Sequence, residues 1–240
     1  MPKRTRYILR RLVVGAVFTI VAVVITAILF TKPAPVTNAK APSTSINTTT
    51  STTSPEPSTT TTVDPGILPQ TNAFPSASDP IFIAHMQELW TAIITNQPSV
   101  ADSAFFPKAA YVRLKMISNP SNDYQVRLLD QYHLDITAAH NFLGSNASKD
   151  QLVQVIVPSW NSNWVPAGTC YSNTGYYHVP ETRILYMQNG QFYSIGIASL
   201  ISWRGQWYVV HMGAIYPPPD TGIVNSPAAG LGSFGGPGGC

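Results

Sequence analysis

SLISWRGQWYVVHMGAI, residues Ser199 to Ile215, reads as two strands folded back over Arg204-Gly205, because β-branched and aromatic residues fill both sides of a turn dipeptide. Upstream lies a stronger hairpin signal, Asn189-Gly190, between Thr182–Gln188 and Gln191–Trp203. Leu152–Val157, stopped by Pro158, and Gly175–Val179 extend the series, and the last strand runs from Gln206 to Ala214. Two-residue turns fix the register. Trp203 falls opposite Gln206, Ala198 opposite His211, Gly196 opposite Gly213, Gln188 opposite Gln191 and Arg183 opposite Gly196. One sheet face then carries Ile184, Tyr186, Tyr193, Ile195, Ile197, Ile201, Trp203, Tyr208, Val210 and Met212, bulky and almost wholly apolar. The other carries Arg183, Leu185, Phe192, Ser194, Gly196, Ala198, Leu200, Trp207, Val209, His211 and Gly213, large at its ends and small in the middle.

The first half of the folding region changes period. Asp79-Pro80 is an N-cap and N1 pair, followed by Phe82, Met86, Leu89, Trp90, Ile93 and Ile94 at helical spacing, which predicts a core-facing helix to Thr95. Ser99 and Asp102 resemble a capping box for a short turn before Phe105-Phe106-Pro107. Further helices are expected over Ala109–Ile117, Asn122–Gln131 and Asp135–Leu143, the last capped by Asp135 and closed by Gly144. Helices first and strands afterwards predict an α+β domain over residues 79–216, with N-terminal helices packed on an antiparallel sheet. This order, with the pattern Trp203-x-Gly205-x-Trp207-x-Val209, resembles the NTF2-like superfamily. The resemblance implies a cone, in which helices cover the concave side of a curved sheet and enclose a pocket. It leaves activity open, since that fold hosts isomerases, dehydratases, transport factors and inert envelope modules.

The hollow second face supplies the candidate site. Small residues at Ser194, Gly196, Ala198 and Gly213 leave space beside His211 and Arg183, so a pocket there would set two polar groups in an apolar wall. Trp207 flanks that hollow, and Tyr171, Tyr176, Tyr177 and His178 form an aromatic patch that could rim a pocket mouth. The candidate ligand-binding set is therefore His211, Arg183, Tyr177, Ser194 and Trp207. The competing reading is structural: small residues also let the first helix pack closely, with His211 bonded to a carbonyl and Arg183 reaching solvent. No catalytic residue is assigned, because a lone histidine without a carboxylate or nucleophile lacks what acid–base work requires. HExxH, GxSxG and SxxK are absent. Asp130, His133, Asp135 and His140 cluster in sequence, but capping and exposure account for them, so neither metal nor cofactor is expected. The face is apolar enough to need cover, and a second copy of the chain is one way to provide it.

Composition sets the address. Net charge is +3, yet Lys3, Arg4, Arg6, Arg10 and Arg11 crowd residues 1–11 and the remainder is slightly acidic. Lys108, Arg113, Lys115 and Arg127 are too few and too mixed with acids for a nucleic-acid surface. Residues 12–30, LVVGAVFTIVAVVITAILF, are uncharged and close to the about 20 residues needed to cross a bilayer. The basic cluster before them predicts a cytoplasmic N-terminus and an extracytoplasmic remainder, and Thr31-Lys32-Pro33 is a poor cleavage context for a signal peptide. Residues 31–78, rich in Thr, Ser and Pro, predict a disordered stalk, and 217–240, opened by Pro217-Pro218-Pro219 and closed by GLGSFGGPGGC, a flexible tail. Cys170 and Cys240 are the only cysteines. An oxidising compartment would let them pair, closing about 70 residues for about 4 kcal/mol; a buried thiol at Cys170 and a free or intermolecular Cys240 are the alternatives.

The sequence thus predicts a single-pass cell-membrane protein whose outer domain binds a small ligand or an envelope protein without catalysis. Two other readings stand beside it. One is an isomerase- or dehydratase-type enzyme with His211 as base and Arg183 or Tyr177 orienting the substrate. The other is a structural module acting in secretion or cell-wall assembly through protein contacts alone.

Overall fold

Both turn dipeptides fold as their chemistry dictates. Asn189 and Gly190 take φ of 50° and 76°, Arg204 and Gly205 51° and 78°, the left-handed pairs that let a two-residue hairpin follow the strand twist. A computed structural model describes residues 63–239. Around those turns it builds β3 (Tyr176–Gln188), β4 (Gln191–Trp203) and β5 (Gln206–His211), and the expected strands at 175–179 and 182–188 are one. Glu181, at φ 52°, steps out of the ladder between them, while Pro180 opposite Ser199 and Thr182 opposite Ile197 keep the register.

The result is α+β, with an open antiparallel sheet of six strands. Its outer positions are each shared by two short strands. β1 (Gln151–Ile156) and β2 (Asn163–Val165) lie in tandem along β3, and β5 and β6 (Asn225–Ala229) in tandem along β4. The expected register holds from Trp203 opposite Gln206 to Leu200 opposite Val209, then slips by one, so that Ser199 and not Ala198 faces His211. β5 leaves the sheet there. Gly196, expected opposite Gly213, instead pairs with Asn225 of β6. β6 contains Pro227, tolerable because an edge strand has one side without ladder bonds.

The helices cover the bulky apolar face. α1 (Pro80–Thr95) starts as expected, with the Asp79 carboxylate accepting from Ile81 N at 2.8 Å, and ends at Asn96 in the left-handed conformation. Phe82, Met86, Leu89, Trp90 and Ile93 are buried, and Trp90 lies on Tyr186 of β3 at 5.4 Å between rings. Phe106 meets Trp203 and Tyr208 edge-on. α2 is Lys108–Leu114, shorter than expected.

The next two expected helices run together. α3 (Pro120–Asp123), a π-helical turn over Tyr124–Leu129, and α4 (Asp130–Leu143) are continuous, because nothing between Gln131 and Asp135 breaks a helix whose Tyr132 and Ile136 are both buried. Asp135 is therefore not a cap. It is 1% exposed and accepts from Gln131 Nε2 (2.9 Å), Gly213 N (2.8 Å) and Ile223 N (2.8 Å), pinning the chain where it leaves β5. Gly213 has to be glycine at this clamp, since a Cβ there would sit 2.3 Å from Ile223 O.

Two segments expected to be loose are part of the domain. Residues 63–78, assigned above to the stalk, dock on the sheet. Trp203 Nε1 donates to Pro65 O (2.9 Å), Gln70 Nε2 donates to Ser202 O (3.0 Å), and Phe74 stacks edge-on against Tyr177 and Trp207. Residues 217–239 cross the small-residue face, giving β6 and a run of bonds including Gly230 N to Phe192 O (2.8 Å) and Gly238 N to Asn161 O (2.7 Å). Composition hides this, because a strap held mainly through backbone groups needs little apolar surface of its own. The expected span at 12–30, with residues 1–11 before it, lies outside the described residues, as does the stalk before residue 63. Among the described residues no helix is long and apolar enough to cross a membrane.

Candidate functional site

The five residues proposed as a ligand site do not converge as a set: Arg183 and Ser194 meet, but His211 lies apart from them. The slip at Ser199 inserts one residue into β5 and reverses the side on which its end points, as any single-residue slip in a strand must. His211 thereby joins Ser199 and Ile201 on the helix side, in the wall of a cavity of about 340 Å³. Arg183, Ser194, Tyr177 and Trp207 stay on the opposite face, beneath residues 63–78 and 217–239.

There the hollow is full. Arg183 is wholly buried, its Nε donating to Leu231 O (3.0 Å) and its Nη2 to Ser226 O (2.8 Å) and Ser194 Oγ (2.6 Å). Ser194 Oγ donates in turn to Leu231 O at 2.8 Å. Asn225 Nδ2 donates to Glu181 Oε1, and the Glu181 carboxylate stands 4.0 Å from the guanidinium. Gly196 makes the space: a Cβ would lie 2.6 Å from Asn225 Nδ2. Tyr177 and Trp207 are covered by Phe74, so the second face receives its cover from within the chain. The first helix lies on the other side.

The cavity opens between α2, the π-helical turn and the sheet. Its inner wall is apolar, with Leu114, Leu128, Ile201 and Val210 all buried, and Ser199 contributes a buried hydroxyl. Tyr171 and Tyr216, 73% and 93% exposed, stand at its rim. Tyr176 and His178 of the aromatic patch line it as well, while Tyr177, one residue between them, points the other way, as strand alternation requires. Among the described residues, Lys115 and Arg127 are the charged ones in the lining, and no Asp or Glu lines the cavity.

Burial and neighbouring positive charge set the protonation states. His211 is pushed down to about 4, chiefly by desolvation, then by Arg127, His178 and Lys115. Among the described residues none hydrogen-bonds its ring. His178 is also held below its ordinary value by burial, and its Nδ1 accepts from Gly239 N at 2.9 Å, which places the proton of the neutral ring on Nε2. Lys115 is lowered by burial and by Arg127. Arg127 is committed elsewhere: Nε and Nη2 clamp the two oxygens of Asp123 at 2.7 and 2.8 Å, and Nη2 also donates to Tyr111 Oη. The cavity therefore offers neutral imidazoles, a lysine and apolar walls.

Cys170 also lines the cavity and is disulfide-bonded; the chain's other cysteine, Cys240, lies outside the described residues. Asp130, His133 and His140 each have a local partner, in Gln125, Asp102 and the Ile93 carbonyl. Among the described residues no three His, Cys, Asp or Glu side chains converge. No family model, no curated protein and no solved structure matches this chain. Of the cavity residues, Lys115 and Ser199 carried no signal in the sequence, since their importance comes only from what the slip and the helix packing place beside them.

Proposed function

We propose that this chain is a single-pass, extracytoplasmic module of the cell envelope that binds a small ligand in the cavity between helices and sheet, without catalysis. The observation that carries the reading is the cavity itself. At about 340 Å³ it lies at the lower end of the range for small-molecule sites, and its walls are apolar with a few convergent polar groups. An NTF2-like cone is the finer fold assignment within this proposal, supported by helices over one sheet face with a cavity between them. Absence of catalysis is supported by the separation of His211 from Arg183 and Tyr177, which the enzyme reading needs together. An outside location is supported by the basic cluster ahead of the apolar run at 12–30, and by the disulfide at Cys170, since such bonds persist in oxidising compartments.

The test has two arms. Protease added to intact cells should remove the domain, and protection of everything after residue 30 would refute the location. Ser199→Phe, which fills the cavity from its inner wall, should abolish ligand binding and biological role in a protein that still folds, whereas His211→Ala should keep the role. A folded Ser199→Phe chain with undiminished role would refute the cavity as the working part.

A further inference from the structure

We propose that the cavity's ligand is a small carboxylate with a flat apolar body, its charge held by Lys115; this rests on the cavity being the ligand site. Lys115 stands at the end of α2 and donates one of its three N–H groups to Cys170 O at 2.8 Å, a neutral acceptor. Among the described residues it makes no ion pair. A half-buried ammonium without a counterion is costly, and Arg127 adds to that cost by repulsion. Asp123 offsets only part of that cost and forms no ion pair with Lys115, because both of its oxygens are clamped by Arg127 and one also accepts from Tyr111. The missing partner is an anion, and the cavity is the space from which it can reach Nζ.

The charge supply fixes which anion. Arg127 is paired with Asp123, and His178 and His211 are held neutral by burial, so among the described residues Lys115 is the one unpaired positive charge facing the cavity. That balances a carboxylate and leaves a phosphate dianion half unpaired. The remaining walls select the body of the molecule. Leu128, Ile201 and Val210 offer apolar surface, and Tyr111 and Tyr176 offer ring faces or edges to a flat group. Ser199 Oγ and the His178 Nε2–H, in the same lining, supply a hydrogen bond to a polar substituent.

Calorimetric titration of the full-length chain with naphthoate, naphthamide and naphthyl phosphate separates the parts of this inference. Naphthoate should bind about tenfold or more tightly than its neutral isostere naphthamide, as a charge-assisted bond implies, and more tightly than the phosphate. Lys115→Gln can still donate to Cys170 O but carries no charge, and should bring naphthoate to the affinity of naphthamide while leaving the amide unchanged. Equal binding of acid and amide to the unaltered chain overturns the carboxylate and leaves the cavity as a ligand site, a comparison that needs no variant to fold. Tighter binding of the phosphate overturns the single-charge argument. Binding of none of the three overturns the carboxylate inference and counts against the cavity reading beneath it.

Discussion

Arg183→Met is the substitution that most directly tests how the C-terminal strap is held. The guanidinium makes three hydrogen bonds, to Leu231 O, Ser226 O and Ser194 Oγ, and is wholly buried. Bonds from a charged donor contribute about 1.5–3 kcal/mol each. Burying the charge opposes them, and Met retains the apolar stem, so the net loss is about 3–5 kcal/mol, the range for breaking a buried charged network by removing one partner. The Glu181 carboxylate, 4.0 Å from Nη1, loses its counter-charge at the same time. In urea the midpoint should fall by roughly 2 M at a slope of about 2 kcal/mol/M. Hydrogen exchange localises the effect. The Gly230 amide, which donates to Phe192 O, should lose protection at denaturant concentrations where the β3–β4 ladder keeps its own. Arg183→Lys should recover less than half of the loss, because one ammonium cannot reproduce the planar fork. An unmoved midpoint together with a protected Gly230 amide would refute the view that Arg183 is the knot of the strap.

Three more outcomes follow from the same structure. His211, with a folded value of about 4 against 6.5 unfolded, leaves stability intact above pH 6.5 and erodes it as pH falls toward 4; the loss is roughly 3 kcal/mol at most, His178 adds in the same direction, and His211→Asn should flatten the slope of urea midpoint against pH. If Cys170 pairs with Cys240, Cys170→Ser and Cys240→Ser should each lower the melting temperature by a similar amount, with the double variant no worse than either; additive losses in the double variant would exclude that pairing. Gly196→Ala places a methyl 2.6 Å from Asn225 Nδ2 and should cost about 1–3 kcal/mol, with exchange protection lost first in β6; an unchanged midpoint would mean that β6 shifts freely.

The position of His211 shows how little separates two functional readings. Without the slip between Ser199 and Leu200 it would share a face with Arg183 and Ser194, as the alternating pattern predicts. With it, the imidazole enters a cavity whose other polar groups include Lys115, Arg127, His178 and Ser199. Just past the slip Ala198 N still donates to Met212 O, and Asp135 then captures Gly213 N.

The sequence by itself determined what local chemistry can dictate. Asn189-Gly190 and Arg204-Gly205 set both hairpins and most of the ladder, Asp79-Pro80 started α1, and the switch from helical to alternating period gave an α+β order. Each of these rests on residues within a few positions of one another. Only the tertiary structure decided the rest. That residues 63–78 and 217–239 belong to the domain depends on Arg183, Gln70 and Asn161 meeting backbone groups 43 to 132 residues away in several cases, and a strap held through its main chain leaves little trace in composition. The site was equally hidden, because one inserted residue in β5 chooses the face, and Lys115 acquires meaning only because no carboxylate among the described residues forms an ion pair with it.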